Sequence, residues 1–228
     1  MSKILAFLRK YRHAWILSYG LVYITWFSYL EKQITPATGY HIMHTAMDDA
    51  IPFCEYFIIP YFLWFLYIAT GIFFFLFKNK EDFYRVCGFL FSGMTLSLVI
   101  CSFYPNGTDF RPLIDPGKNI FTRMVACLYS VDTCTNVFPS IHAYNSIAMH
   151  IAIWKSKDLE QMKYGRQLKY ASLILAILIC MATLCLKQHS ILDVCGAIIL
   201  ASIVYGFVYG YPVFEREPDR ETERVRVR

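Results

Sequence analysis

Polar residues gather in clusters along this chain, and between them lie six continuous apolar runs, at 14–30, 56–77, 86–103, 137–154, 170–186 and 194–214. None of the six contains Asp, Glu, Lys or Arg, and only the fourth carries imidazoles, at His142 and His150. A bilayer hydrocarbon core about 30 Å thick is crossed by roughly 20 helical residues, and each run meets or approaches that length. The runs do not alternate in polarity, so the period-2 signature of a membrane barrel is missing. The pattern predicts an all-α fold: an integral membrane bundle of six transmembrane helices, with residues 1–228 forming a single domain. The first run follows basic residues, as the apolar core of a signal peptide would. It is long for that role and no small-residue cleavage pattern follows, so a retained helix is expected.

Composition sharpens this picture. The chain is 57% hydrophobic and 18% aromatic, too apolar for an ordinary soluble domain. Its net charge of +5 is a topology signal, because Lys and Arg in short loops favour the cytoplasmic side. Most of the 22 basic residues fall in four segments: the N-terminus from Lys3 to Arg12, the loop Lys78–Lys80–Arg85, the loop from Lys155 to Lys169, and the tail from Arg216 to Arg228. The other connections hold only Lys32, Arg111, Lys118, Arg123 and Lys187. Basic and poorly basic segments alternate, as six spans with both termini cytoplasmic require. Loops near 31–55, 104–136 and 187–193 then face outward, which places the protein in the cell membrane as a multi-pass chain. No nucleic-acid motif is present, so nucleic acid is not an expected partner; the bilayer is.

Candidate chemistry collects at the outward side. Arg111-Pro112 lies in the long third loop, Ser140 and His142 at the mouth of the fourth run, and Lys187, His189 and Asp193 at the mouth of the sixth. His189 and Asp193 are spaced i, i+4, so on a helix they would be neighbours on one face. A carboxylate there accepts from one imidazole nitrogen, fixes the tautomer and leaves the other nitrogen as a nucleophile. His142 is a second imidazole, suited to giving a proton to a leaving group. Pro139 fits the first turn of a helix. The amides of Ser140 and Ile141 would then be unpaired donors at the positive end of the helix, an anion site. Arg111 offers a planar fork matched to phosphate oxygens.

Other polar residues read more plainly. His150, deep in the fourth run, is expected to hydrogen-bond a neighbour. His41, His44, Asp48, Asp49, Asp132 and Asn136 read as loop solvation or capping. The eight cysteines read mostly as small apolar residues; Cys127 and Cys134 share an outer loop, and a bridge between them is not expected. No Cys, His or carboxylate spacing suggests a metal, and no cofactor is expected.

These motifs resemble the type 2 phosphatidic acid phosphatase superfamily, which also includes the vanadium haloperoxidases. Pro139-Ser140-Ile141-His142 matches its PSxH-like motif, His189 to Asp193 its HxxxD motif, and Arg111-Pro112 the end of its first motif. The Lys of the first motif is replaced by Tyr104, and the Ser-Arg that opens the third by Ala182 and Thr183. The segments "LKQHSILDV" and "DDAIPFCEYFIIPY" also look like the branch containing inositol phosphorylceramide synthases. The resemblance implies that His189 attacks phosphorus and becomes a phosphohistidine, Asp193 orients it, and His142 protonates the leaving oxygen. It implies that Arg111 and Ser140 bind the phosphoryl oxygens, with Lys187 compensating for a missing cation, and that no metal takes part.

The expected function is that of an integral membrane lipid-phosphate phosphatase, hydrolysing a phosphomonoester or diphosphate of a lipid partner held at the outer surface. A lipid phosphotransferase shares the first half-reaction, with an alcohol in place of water. A non-catalytic lipid-binding or transport protein on the same bundle is the reading from another class. Paired imidazoles speak against it and the absent Lys and Arg for it.

Overall fold

A computed structural model describes residues 3–210. The Arg-rich segment 216–228 and the end of the sixth apolar run lie outside the described residues. Helix α1 (Lys3–Lys10), a 3-10 stretch (Arg12–Ser18) and α2 (Tyr19–Gln33) open the chain. Strand β1 (His41–Ile42), the short helix α3 (Ala46–Ala50) and a 3-10 turn (Glu55–Phe57) lead to α4 (Ile58–Lys78) and α5 (Lys80–Phe103). Then come β2 (Asn106–Gly107), α6 (Ile120–Val131), α7 (Ile141–Lys155), α8 (Lys157–Glu160), α9 (Gly165–Cys185) and α10 (Ile191–Gly210).

Among the described residues, four helical segments are long and apolar enough to cross a membrane: Glu55–Lys78, Lys80–Phe103, Gly165–Cys185 and Ile191–Gly210. The first and fourth predicted runs are built differently. In the first, His13 is buried and its ring nitrogen lies 3.2 Å from the Leu76 carbonyl near the end of α4. Residues 12–18 around it form a 3-10 stretch, and α2 starts only at Tyr19. In the fourth, the Asn106 side-chain oxygen accepts from the amides of Val137 and Phe138, at 2.9 and 2.8 Å. These residues are thereby kept out of the helix. Pro139 follows a cis bond and precedes the N-cap Ser140, outside the first turn that its sequence position suggested. At 1.5 Å per residue, the 15 residues of α7 reach only ~22 Å.

A helix that short suits the centre of the bundle. α7 packs against α4, α5, α9 and α10, and its Ala143, Tyr144, Ala148, Met149 and Ala152 lie in the core. Glycines on its neighbours admit the bulk. A Cβ on Gly93 of α5 would lie 1.9 Å from Tyr144 Cζ, and one on Gly71 of α4 would lie 2.3 Å from Met149 Sδ. The outer faces are apolar, with Phe65, Phe73 and Phe77 of α4, Ile174 and Ile177 of α9, and Ile199, Ile203 and Phe207 of α10 exposed. So much contiguous apolar surface on a helical bundle, with backbone bonds satisfied within each helix, suits a membrane protein.

The two ends of the bundle differ. At one end the loops predicted to face outward are woven together. β1 pairs in parallel with β2, Gly107 bridges to Thr135, and the Cys54 amide donates to the Cys185 carbonyl. At the other end Asn79 caps α5, donating also to Asp158, and Lys155 lies over the rings of Tyr205 and Tyr209.

Candidate active site

The turn between α9 and α10 carries the central residues. Leu186 closes α9, and Lys187, at φ 54, reverses the chain. The amides of Gln188 and His189 both donate to the Thr183 carbonyl, at 3.0 and 3.1 Å. Ser190 then precedes α10 as its N-cap. Its hydroxyl accepts from the Leu192 amide, and its own amide donates to Asp193 Oδ2 at 2.8 Å. The same Oδ2 lies 3.3 Å from His189 Nδ1. His189 and Asp193 therefore meet as predicted, with one correction. His189 is on the turn before the helix, and the pair closes across the helix start because the Ser190 amide holds the carboxylate there. Asp193 is fully buried, and its Oδ1 has no partner among the described residues.

α7 starts beside it. The Ser140 amide donates to the Asp193 carbonyl at 3.1 Å, which ties the two helix mouths together. The His142 ring packs against Tyr61 and Trp64, with centroids 4.7 and 4.4 Å away, and its centroid is 5.9 Å from that of His189. Arg111 joins them from the long loop. Its guanidinium donates to the carbonyls of Asp132 and Thr133, at 2.8 and 2.6 Å, and to Gln188 Oε1. It also lies 4.7 Å over the Tyr129 ring. Its Nε–H is buried and has no partner among the described residues.

His142, His189 and Arg111 all line one cavity of about 460 Å³. Aromatic residues also line it, Tyr23 and Phe27 from α2 and Phe62, Trp64 and Phe65 from α4. A polar end and an apolar flank thus share one space.

Two expected phosphate ligands are placed elsewhere. Ser140 does not reach the cavity wall. Its hydroxyl accepts from the Ala143 amide as an N-cap, and its amide is already taken by Asp193. Lys187 points away, its ammonium donating to the carbonyls of Asp48 and Ile51. The positions of the missing family cations hold no substitute: Tyr104 stacks on His41 at 4.1 Å, while Ala182 and Thr183 are buried in helix packing.

Three residues were not singled out by sequence reasoning for this site. Asp132 Oδ2 accepts from Tyr61 Oη at 2.9 Å and from Gln188 Nε2 at 3.2 Å. Gln188 thus bridges Arg111 and Asp132 beside His189. No local pattern marks Gln188 or Tyr61, whereas Asp132 stood out only as an outward carboxylate close to the motif. Asp48 is likewise more than loop solvation, since it is buried and bonded to the start of α10. His150 matches its plain reading, 3.1 Å from Ser172 Oγ. All eight cysteines are free. Among the described residues, no three His, Cys, Asp or Glu side chains form a metal-ligand group.

The family described as the PAP2 superfamily matches residues 90–217, more than half of the chain, and the match takes in Arg111, His142, His189 and Asp193. No curated protein and no solved structure matches the chain.

Proposed function

The chain belongs to the PAP2 superfamily, and from that premise we propose that it is an integral membrane lipid-phosphate phosphatase working through a phosphohistidine. Membership in this family suggests phosphatase-type activity on lipid phosphoesters. The observation that carries the finer reading is the meeting of two imidazoles, one of them backed by a buried carboxylate, with an arginine around a cavity that has an aromatic flank.

The chemistry follows from these positions. With Nδ1 on Asp193, Nε2 of His189 is the nitrogen available to the cavity. It attacks phosphorus, forming the P–N bond as the P–O bond to the lipid breaks. His142 gives its proton to the departing oxygen. The Asp193 carboxylate stabilises the positive charge that develops on the His189 ring. Water then attacks the phosphohistidine, His142 takes the proton back, and inorganic phosphate leaves. Arg111, whose guanidinium lines the cavity, draws a phosphoryl oxygen to the polar end. The aromatic wall accommodates the apolar part of the lipid. No step of this scheme calls for a divalent metal.

In the membrane we read one unit of six crossings, with the segments 12–33 and 137–155 completing the four long helices. Both termini are cytoplasmic, and the cavity opens at the outer surface. Purified protein, challenged with a panel of labelled lipid phosphomonoesters and diphosphates in EDTA, is expected to release phosphate. It should also yield an acid-labile phosphoenzyme that is absent in His189→Ala. A phosphoenzyme undiminished in that variant would overturn the assignment. Product carrying the label on an alcohol instead of free phosphate would move the reading to a phosphotransferase.

A further inference from the structure

We propose that Asp48 and Lys187 form a reciprocal strap that makes the segment Thr45–Ile51 a positioning element for His189. The proposal rests on the reading of His189 as the nucleophile. The segment lies far from the catalytic turn in sequence, yet it is bonded to both sides of it. Asp48 Oδ2 accepts from Ser190 Oγ at 2.7 Å and Oδ1 from the Ile191 amide at 2.8 Å. In the opposite direction, the Lys187 ammonium donates to the backbone carbonyls of Asp48 and Ile51. His189 sits between the two anchor points. Each charged side chain is itself buried, at 2% exposure for Asp48 and 8% for Lys187.

The arrangement does more than close a loop. A capping box with Thr45 fixes Asp48, whose Oδ2 accepts from the Thr45 amide at 2.8 Å and its hydroxyl at 3.0 Å. The carboxylate therefore caps the five-residue α3 and the mouth of α10 at once. Met47 and Asp49 of α3 are exposed, and Asp49 is held at the surface by His44, 2.9 Å away. The catalytic contact, meanwhile, has little margin. His189 Nδ1 and Asp193 Oδ2 are 3.3 Å apart, beyond the usual 2.7–3.2 Å for such a bond. A small shift of the turn would lengthen it further, and misplacement by ~1 Å can cost a reaction ~100-fold. The strap adds to the bonds on the Thr183 carbonyl in holding the turn against that shift. Lys187 thus serves the site through the backbone instead of through phosphate.

Substitutions at Asp48 should act in graded fashion. Asn keeps one oxygen for Ser190 and Thr45 but turns an amide group toward the Ile191 N–H, losing one contact. Ala loses all of them. Full-length protein in nanodiscs, mixed rapidly with a labelled lipid phosphate and acid-quenched, reports both the amount of competent enzyme and the rate of attack. The burst rate is expected to fall several-fold in Asp48→Asn and Lys187→Met, and ~10- to 100-fold in Asp48→Ala. Burst amplitude per folded protein and KM should stay near wild type. A burst of reduced amplitude at the wild-type rate, or an unchanged burst, overturns the proposal. Amide hydrogen exchange needs no turnover and separates failure of the strap from failure of the nucleophile assignment. If the wild type forms no phosphohistidine, faster exchange confined to 188–193 in Asp48→Asn still supports the strap, and unchanged protection there refutes it.

Discussion

Replacing Asp193 with Asn changes one oxygen into an NH₂ group and removes one charge, and the surroundings decide how the new side chain sits. The Ser190 amide donates to Oδ2 at 2.8 Å, so the Asn oxygen must take that place. The NH₂ then falls where Oδ1 lay, a buried position with no partner. In that orientation His189 still donates from Nδ1, and its tautomer is preserved. What is lost is the negative charge facing the ring during attack. Two unit charges 3.3 Å apart attract by about 5 kcal/mol at an effective dielectric of ~20. If half of the ring charge has developed at the transition state, about 2.5 kcal/mol is lost. At ~1.36 kcal/mol per decade, the rate of phosphorylation should fall between about 70-fold and about 5,000-fold.

The buried, unpaired NH₂ should also destabilise the fold by about 1–3 kcal/mol. The assay is rapid acid quench with a labelled lipid phosphate, alongside thermal unfolding in the same detergent. Expected is a slow approach to a phosphoenzyme level close to wild type, with a lowered melting midpoint. A burst rate within tenfold of wild type would refute the argument that the carboxylate stabilises charge on His189. A slow rate rescued by raising pH would instead point to a wrong tautomer or protonation state, and so refute the orientation assigned to the amide.

Four other outcomes are expected. His142→Ala should lose most activity on a lipid alkyl phosphate but far less on p-nitrophenyl phosphate, whose leaving group needs no proton; equal losses on both would argue against a proton donor. Gly93→Ala should destabilise the bundle by about 1–3 kcal/mol or more, because its Cβ would fall 1.9 Å from Tyr144 Cζ; an unchanged melting midpoint would contradict that packing. Single cysteines placed at Lys118 should react with an impermeant maleimide from outside intact cells, and reaction only after permeabilisation would reverse the orientation. Asp48 should keep the catalytic turn protected in mild acid. Burial pushes its carboxyl up, but the bonds from Ser190, Ile191 and Thr45 outweigh this and hold it below the ordinary carboxylate range. A depressed folded pKa contributes stability in full above the unfolded value of about 3.9, and that stability is lost as pH falls through the folded value. Exchange at 188–193 should therefore rise only below pH ~4 in the wild type, and Asp48→Asn should show no such step.

How far the sequence could be read depended on the distance between interacting parts. His189 and Asp193 are four positions apart, and Ser190 with Asp193 carries the spacing of a capping box. A local rule therefore located the pair, while placing both on the helix overlooked that the helix begins only after Ser190. The gathering of the loops at one end was legible in the alternation of basic and poorly basic segments. The length of α7 was not, because its start is set by Asn106, which belongs to another loop and holds Val137 and Phe138 in place. Likewise, the charge of Lys187 suggested a phosphate ligand next to His189. Only the fold reveals that its side chain reaches back to Asp48 and Ile51. Asp48 reads from the sequence as loop solvation or capping, and the cap on Thr45 is one of its roles. That reading could not indicate that the same carboxylate would serve a second helix start more than a hundred residues away.

That pattern has a consequence for the charge of the site. The family positions that would supply further cations hold Tyr104, Ala182 and Thr183, and none of these faces the cavity as a donor set. Arg111 is the strong cation on the cavity wall, and it is flanked there by the Asp132 carboxylate through Gln188. A site so arranged holds less positive charge than the family motifs prescribe. On the proposed function, attraction for a highly charged headgroup is then weaker, and more of the affinity comes from the apolar flank contributed by α2 and α4. Truncating the lipid tail should therefore raise KM more steeply than replacing a diphosphate by a monophosphate. Equal affinity for a short-chain, water-soluble phosphate would show that charge, not the aromatic wall, governs recognition.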